Sequence, residues 1–157
     1  MIQSKFSPGA KLGQRILVVD DEPLLRKLNA EIFTDVGYAV DVAEDGANAW
    51  DALQLHDYHL LVTDNQMPKM SGVELVVKVR QAGKKLPVVM VTGTLPEIEF
   101  IQQKWIKPFA MLLKPYSMAE LLGVAKAILT PGPGGDESME LTPNWECQPQ
   151  TFGMRLR

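Results

Sequence analysis

The chain has 157 residues, of which 46% are hydrophobic and 22% charged, which is typical of a globular domain and argues against disorder. Its formal net charge of −3 argues against a strongly basic nucleic-acid-binding protein, so we expect no direct binding to nucleic acid. The single cysteine, Cys147, excludes an internal disulfide and indicates a reducing compartment, the cytoplasm. We expect no membrane span and no secretory signal, because no apolar run is long enough and residues 1–15 lack an apolar core.

The segment 15–64 predicts three strands separated by two helices. Strands are expected at residues 15–20 and 60–64, where continuous apolar runs indicate burial on both faces of a sheet. Between them, residues 38–43 alternate between polar and apolar side chains, which predicts a strand nearer an edge.

Two helices are expected between these strands. The first should run from Pro23 to about Val36, because proline suits the first helical turn and Gly37 suits a helix stop. Asp45 can cap a second helix that runs to Leu55. Apolar residues at helical spacing predict the buried stripe of the first helix, namely Leu25, Leu28, Ile32 and Val36.

The second half of the chain repeats the same rhythm. Strands are expected at residues 86–92 and 109–113. Three further helices are expected, at about residues 72–82, 96–105 and 118–129. A capping box of Ser117 and Glu120 opens the last of them. Five strands alternating with five helices predict an α/β fold with a parallel sheet covered on both faces.

Composition divides the chain into three parts. Residues 15–130 carry the alternating strands and helices and are expected to form one domain. Residues 1–14 are polar and contain proline and glycine, which predicts a flexible N-terminal arm. Residues 131–157 are rich in proline and glycine and have no apolar stripe, which predicts a flexible C-terminal tail.

Polar side chains stand at the predicted carboxyl ends of four strands. Asp20 and Asp21 follow the first strand, Asp64 ends the third, Thr92 ends the fourth and Lys114 follows the fifth. Functional groups of a parallel sheet gather outside the carboxyl ends of its strands, so we expect these side chains to lie together.

The chemistry of this set points to phosphoryl transfer. Three carboxylates that lie close together repel one another, and a hard divalent cation such as Mg²⁺ relieves the repulsion. Lys114 adds a positive charge and Thr92 a hydroxyl donor, and both suit a phosphoryl group. Asp64 can then act as a nucleophile that forms an aspartyl-phosphate.

Four segments carry a resemblance to a known family. They are Ile16–Pro23, Leu61–Pro68 with the following Ser71-Gly72, Val89–Gly93 and Leu112–Pro115. In this order and at strand ends, they resemble the receiver domain of response regulators in two-component signalling, in its single-domain chemotaxis form. The resemblance implies a (βα)5 flavodoxin-like three-layer sandwich with a five-stranded parallel sheet in the order 2-1-3-4-5.

The resemblance implies a role for each residue of the acidic site. Asp64 would be the phosphoacceptor for the phosphohistidine of a sensor histidine kinase or a histidine phosphotransfer protein. Mg²⁺ would be the cofactor, bound by Asp21 and Asp64 directly, by Asp20 mainly through water, and by the backbone carbonyl of Gln66. Such a receiver catalyses only its own phosphorylation and dephosphorylation and is not otherwise an enzyme.

Phosphoryl binding and switching are implied for further residues. Thr92 would hydrogen-bond a phosphoryl oxygen, Gly93 would leave room for the group, and Lys114 would pair with it. A cis peptide bond is implied between Lys114 and Pro115. Gln66 and Thr94 occupy positions at which the family tunes the lifetime of the phosphate.

One position departs from the family pattern. Met111 stands where the family usually carries tyrosine or phenylalanine as a rotamer switch coupled to Thr92, and methionine offers no ring to gate. The fourth predicted helix is rich in apolar residues, among them Ile98, Ile101 and Trp105. These residues are either core or, with the fifth strand and the last helix, part of a face for partners or a homodimer.

Other functions match the residues less well. A degenerate receiver that binds partners without phosphorylation is disfavoured by the intact acids, Thr92 and Lys114. A phosphatase of the haloacid-dehalogenase kind would carry a D-x-D nucleophile after the first strand and a cap, whereas Asp20 and Asp21 are adjacent. A flavodoxin-like electron carrier would need a hydroxyl- and glycine-rich loop there. No output domain is recognised, because residues 131–157 are too few for a DNA-binding helix-turn-helix, so the chain acts alone or as a piece of a larger protein.

Overall fold

The structure, a computed structural model, describes residues 13–94 and 110–130. Within these ranges the elements are β1 (Arg15–Val19), α1 (Pro23–Asp35), β2 (Ala39–Ala43), α2 (Gly46–Leu55), β3 (Leu60–Asp64), α3 (Gly72–Gln81), β4 (Val88–Thr92), β5 (Ala110–Leu113) and α4 (Met118–Leu129). The predicted fourth helix, nearly all of the predicted N-terminal arm and the predicted tail lie outside the described residues. Of the helices that are described, none is long and apolar enough to cross a membrane.

All strand pairings are parallel, and the strands lie in the order β2-β1-β3-β4-β5. The predicted fold class and strand order are therefore confirmed. The central strands β1, β3 and β4 are buried almost throughout, whereas the edge strand β2 is partly exposed, as its alternating sequence predicts. Observed element boundaries lie within about two residues of the predicted ones.

Alternate residues of the central strands contribute to two core layers, one on each face of the sheet. In β1, Leu17 and Val19 belong to the layer with α2 and α3, whereas Ile16 and Val18 belong to the layer with α1 and α4. All four side chains are at most 1% exposed. Because both faces of β1 are buried, its sequence is continuously apolar rather than alternating.

The buried face of α1 differs from the predicted stripe. Leu28 is 40% exposed. The other three stripe residues are only half-buried, namely Leu25, Ile32 and Val36. The buried residues of α1 are instead Asn29 and Phe33. The prediction is therefore correct for Ile32 and Val36, which pack against the core, and wrong for Leu28. It omits Asn29, whose amide can be buried because it is hydrogen-bonded to the Tyr116 hydroxyl at 2.9 Å.

The loop between β3 and α3 is held against the start of α2. Buried Asp45 caps α2 by accepting a hydrogen bond from the Asn48 backbone N–H at 2.8 Å, as the sequence predicts for Asp45. The Nζ atom of Lys69, a loop residue with a left-handed φ of 66°, lies 2.8 Å from Asp45 Oδ2. A Cβ at Gly46 would lie 2.6 Å from the Met70 carbonyl oxygen, so the segments approach as closely as glycine permits.

A second polar cluster ties β1 to β2 towards the amino-terminal ends of the strands. Arg15 Nη2 lies 2.6 Å from Asp41 Oδ2, and the Tyr58 hydroxyl donates to the same oxygen at 2.6 Å. The Arg15 guanidinium also lies 5.4 Å from the Tyr58 ring centroid. Burial raises the pKa of Tyr58 to about 12, helped by the hydrogen bond and negative charge of Asp41 and opposed by the charge of Arg15.

The contact between Asp45 and Lys69 predicts an order of stabilities. Asp45→Ala should lower the free energy of unfolding by about 1 kcal/mol, because α2 loses its cap. Lys69→Ala should unfold at a lower temperature than Lys69→Gly, because both lose the ion pair but only glycine adopts the left-handed conformation without strain. Thermal unfolding followed by circular dichroism compares these proteins. A Lys69→Ala protein at least as stable as Lys69→Gly would contradict this description of the loop.

The three tyrosines, of which Tyr38 is buried and the other two half-buried, predict a pH dependence of stability at alkaline pH. Burial raises the pKa of Tyr38, Tyr58 and Tyr116 above the ordinary value of 10.0, so the folded protein holds these protons more tightly than the unfolded chain. The resulting stabilisation is complete below pH 10 and is lost as the pH rises above it, for Tyr58 towards about 12.

Phenolate absorbance during an alkaline titration, recorded with circular dichroism, measures this effect. The absorbance should stay low in the folded protein at pH 10, and Tyr58→Phe should remove the component that titrates last. Half-ionised tyrosines at pH 10 in a protein that is still folded would be the contrary result.

Candidate functional site

Three carboxylates meet where β1 and β3 end. Asp20 and Asp21 directly follow β1, and Asp64 is the last residue of β3, the strand beside it in the sheet. One carboxylate oxygen from each residue lies within 4.8 Å of the others. Asp20 and Asp64 are buried, whereas Asp21 is exposed. The structure therefore brings together the three acids that the sequence places at one edge of the sheet.

Lys114 brings a positive charge to the two buried acids. Its Nζ atom lies 3.5 Å from Asp64 Oδ1 and 3.9 Å from Asp20 Oδ2. Its backbone N–H donates to the Thr92 carbonyl at 2.8 Å, which fixes the end of β5 against β4. Because the cluster holds three carboxylates and Lys114 contacts only two of them, these four side chains together are short of positive charge.

Asp64 is oriented by the turn that follows it. Its Oδ1 accepts a hydrogen bond from the Asn65 backbone N–H at 2.8 Å. Asn65 in turn accepts from two N–H groups of the first turn of α3, through its carbonyl from Gly72 at 3.0 Å and through Oδ1 from Val73 at 3.0 Å. A Cβ at Gly72 would overlap the Asp64 carbonyl oxygen. The start of α3 is therefore packed directly behind Asp64.

Asp20 is held by the first turn of α1. Its Oδ1 accepts from the Glu22 backbone N–H at 2.8 Å, and its carbonyl accepts from Arg26 Nη1 at 2.7 Å. Burial raises the pKa of Asp20, and the negative charges of Asp64 and Asp21 act in the same direction, while the Glu22 N–H and the Lys114 charge oppose them. The ionised form of Asp20 is thus incompletely compensated by the protein itself.

The Thr92 hydroxyl is hydrogen-bonded within the loop that follows β4. Buried Thr92 donates from Oγ1 to the Thr94 carbonyl at 2.7 Å. The Gln66 side-chain amide, from the loop after β3, donates to Thr94 Oγ1 at 3.3 Å and bridges the two loops. A Cβ added at Gly93 would meet no atom of the described residues within 4 Å, so the space between Gly93 and that part of the chain is open.

Some of the remaining predicted site residues lie in the part of the chain that the structure describes, and the others lie outside it. The Lys114–Pro115 peptide bond is cis. Met111 is buried and pairs in register with Met90 of β4. The residues of the expected partner face lie outside the described residues, namely Ile98, Ile101 and Trp105.

The donor set fits a hard divalent cation. Asp20, Asp21 and Asp64 offer carboxylate oxygens, which are the ligands that Mg²⁺ prefers, and their mutual spacing allows them to share one ion. A bound cation would also supply the positive charge that the Asp20 carboxylate lacks. The acidic cluster is therefore compatible with Mg²⁺.

Sequence reasoning missed two of the supports of this site. Gly72 is predicted as a helix start and forms part of the family resemblance, but its close approach to the Asp64 backbone is not predicted from the sequence. Asn29 lies next to the predicted apolar stripe of α1, and this position was a signal that its side chain is buried. The contact of Lys69 with Asp45 has no local signal in the sequence.

Comparison with known proteins finds response regulators among the relatives of this chain. The sequence matches the response regulator receiver domain family over residues 16–126. The response regulator RppA of Synechocystis is 36% identical over 116 residues, which cover 73% of this chain and 50% of that protein. The response regulator MprA of Mycolicibacterium vanbaalenii is 32% identical over 131 residues, which cover 82% of this chain and 57% of that protein. The chain therefore spans about half the length of these curated relatives.

Solved structures agree with this result. The chemotaxis protein CheY4 of Vibrio cholerae superposes with a TM-score of 0.68 at 29% identity, covering 74% of this chain and 98% of that chain. The response regulator TrrA of Thermotoga maritima, solved in complex with Mg²⁺ and BeF, superposes with a TM-score of 0.64 at 30% identity, covering 74% and 99%. With its parallel five-stranded sheet and its match over residues 16–126, the chain belongs to the family of response regulator receiver domains.

Proposed function

We propose that the chain is a phosphoacceptor receiver, in which Asp64 takes a phosphoryl group from the phosphohistidine of a sensor histidine kinase or a histidine phosphotransfer protein. The observation that carries this proposal is the convergence of three carboxylates within 4.8 Å, with the Lys114 ammonium 3.5 Å from Asp64. Membership of the receiver family supports it. We place the reaction in the cytoplasm, because a chain with a single cysteine fits a reducing compartment.

The transfer step is a displacement at phosphorus. A carboxylate oxygen of Asp64 forms a bond to phosphorus as the bond from phosphorus to the histidine nitrogen breaks, and the imidazole leaves with the electron pair. Asp64 Oδ1 accepts the Asn65 N–H and faces Lys114, so we assign the attack to Oδ2. Lys114 then stabilises the negative charge that the incoming group brings to the site.

Four residues would hold the cofactor. Asp20, Asp21 and Asp64 would bind Mg²⁺ with the backbone carbonyl of Gln66, and the cation, when bound, supplies positive charge to the phosphoryl oxygens. Its charge also relieves the repulsion between the three carboxylates. Asp64 would therefore serve both as a ligand and as the nucleophile.

Signalling would follow from a change of hydrogen-bond partner at Thr92. Its hydroxyl donates to the Thr94 carbonyl, and to reach a phosphoryl oxygen it must give up that bond and draw its loop towards Asp64. The described residues leave the space beside Gly93 open, which would provide room for the group. Met111 is buried in β5 and carries no ring, so it would transmit the change by repacking of its flexible side chain. The change would reach a face formed by β5, α4 and the helix predicted at residues 96–105. That face is where we expect a partner or a second copy of the chain to bind.

Replacement of the phosphoacceptor is the first test. Wild-type protein incubated with phosphoramidate and Mg²⁺ should gain the mass of one phosphoryl group, and Asp64→Asn should lose nearly all of that gain, because the nucleophilic oxygen is absent. Asp35→Asn, which removes an exposed carboxylate at the end of α1, is the matched control and should be labelled normally. Intact-mass spectrometry measures the labelled fraction.

Undiminished labelling of Asp64→Asn would contradict the assignment of Asp64 as the phosphoacceptor. A folded wild-type protein that takes no label at all would favour the degenerate receiver. Steady release of phosphate from added phosphate esters would favour the phosphatase.

The proposed metal site predicts two effects on stability. Mg²⁺ should stabilise the wild-type protein, and removal of one carboxylate should stabilise the protein when the metal is absent. Mg²⁺ at about 100 times its dissociation constant should raise the wild-type free energy of unfolding by about 2.7 kcal/mol. Without metal, Asp20→Asn should be more stable than wild type by roughly 1 kcal/mol, because it removes a buried, repelled charge and keeps an oxygen for the Glu22 N–H.

Asp20→Asn should also lose most of the Mg²⁺ effect, whereas Asp51→Asn, exposed on α2, should keep it. Denaturant unfolding with Mg²⁺ or with a chelator measures each value. Equal Mg²⁺ stabilisation of Asp20→Asn and wild type would argue against a metal at this cluster.

A further inference from the structure

A polar pair, of which Asn29 is buried and Tyr116 half-buried, joins α1 to the segment that follows β5. The Asn29 side chain is 2% exposed, and its Nδ2 donates to the Tyr116 hydroxyl at 2.9 Å. The same hydroxyl lies 3.1 Å from Asn29 Oδ1 and can donate there. The two residues are 87 positions apart in the chain. A buried amide in an otherwise apolar layer costs stability unless it is hydrogen-bonded, so this pair is a specific connection.

The pair lies beside the Lys114 contact. Tyr116 is two residues after Lys114, so the hydrogen bond to Asn29 fixes the turn from which the lysine extends. The Lys114 ammonium lies 3.5 Å from Asp64 Oδ1 and 3.9 Å from Asp20 Oδ2, so the turn that carries it borders the acidic site.

Two side chains on one face of α1 bind the segments on either side of the contact between Lys114 and Asp20. Arg26 lies three residues before Asn29, which puts the two side chains on the same face of the helix. Arg26 Nη1 donates to the Asp20 carbonyl at 2.7 Å, while Asn29 binds Tyr116. The two bonds bracket the 3.9 Å contact between Lys114 and Asp20, so α1 sets the distance between the end of β1 and the end of β5.

We infer that Asn29 and Tyr116 are positioning residues that hold the Lys114 ammonium over Asp64 and Asp20. The inference deepens the proposed function and rests on it, because it assigns the placement of the charge that receives the phosphoryl group. Neither residue touches the reacting atoms. Their loss should therefore slow phosphoryl transfer and leave the three carboxylates, and with them Mg²⁺ binding, in place.

A double variant separates positioning from core stability. Tyr116→Phe leaves the Asn29 amide buried without its partner, which destabilises the core as well as the turn. Asn29→Leu combined with Tyr116→Phe replaces both polar groups by an apolar pair and should recover most of that stability. The recovered core lacks the hydrogen bond that fixes Lys114. Tyr38→Phe is the matched control, because it removes a buried hydroxyl from the same core layer at the other end of the sheet.

The first measurement is the rate of labelling by phosphoramidate at saturating Mg²⁺, with Mg²⁺ affinity measured by calorimetry on the same proteins. The folded double variant should be labelled about fivefold more slowly than wild type, the change that corresponds to roughly 1 kcal/mol of barrier. Its Mg²⁺ affinity and the rate of Tyr38→Phe should stay within about twofold of wild type. If the double variant does not fold, Tyr116→Phe alone is compared with Tyr38→Phe.

The second measurement asks whether the pair acts through Lys114. Labelling is measured at saturating Mg²⁺, and unfolding is measured on metal-free protein. Lys114→Ala is combined with the double variant, and both labelling rates and unfolding free energies are compared in a double-mutant cycle. The effects should be non-additive, with little further loss once the ammonium is gone. Additive effects, or a double variant labelled at the wild-type rate, would overturn the positioning role while the proposed function stands. A wild-type protein that takes no label at Asp64 would overturn both.

Discussion

Repulsion between three carboxylates at one edge of the sheet is the constraint on which the rest of this structure depends. Asp20, Asp21 and Asp64 bring oxygens within 4.8 Å of one another, and a single ammonium, Lys114, faces the two buried ones. Such an arrangement is costly for the protein alone, since burial disfavours the ionised forms and the negative charges repel. It is stabilised by whatever brings positive charge, and it is then ready to receive an anionic group.

The fold keeps the acids in place through backbone contacts rather than through further charges. β1 and β3 are neighbours in the middle of the sheet, so their ends deliver Asp20 and Asp64 side by side. The first turn of α1 holds Asp20, and the start of α3 packs behind Asp64, where Gly72 permits the approach. Lys114 arrives from β5, two strands away from β3, so its placement depends on longer-range contacts such as that between Asn29 and Tyr116.

The sequence predicted the sheet well because the physics that forms it is local. Continuous apolar runs mark the central strands, and the caps at Asp45 and Ser117 mark helix starts that the structure confirms. The meeting of the acids followed from topology, since parallel strands end at one edge. The buried face of α1 was predicted only in part: Ile32 and Val36 pack against the core as expected, whereas buried Asn29 was not predicted. Its hydrogen-bond partner is a hydroxyl 87 residues away, and no local pattern encodes such a partner.

The central claim is that Asp64 is the residue that receives the phosphoryl group. Borohydride reduces an acyl phosphate to an alcohol, so it converts a phosphorylated aspartate to homoserine and records its position in the chain. After incubation with phosphoramidate and Mg²⁺, peptide mapping should find homoserine at position 64, and none when the metal is removed by a chelator. Homoserine at Asp20, Asp21 or another carboxylate, with position 64 unchanged, would contradict the account.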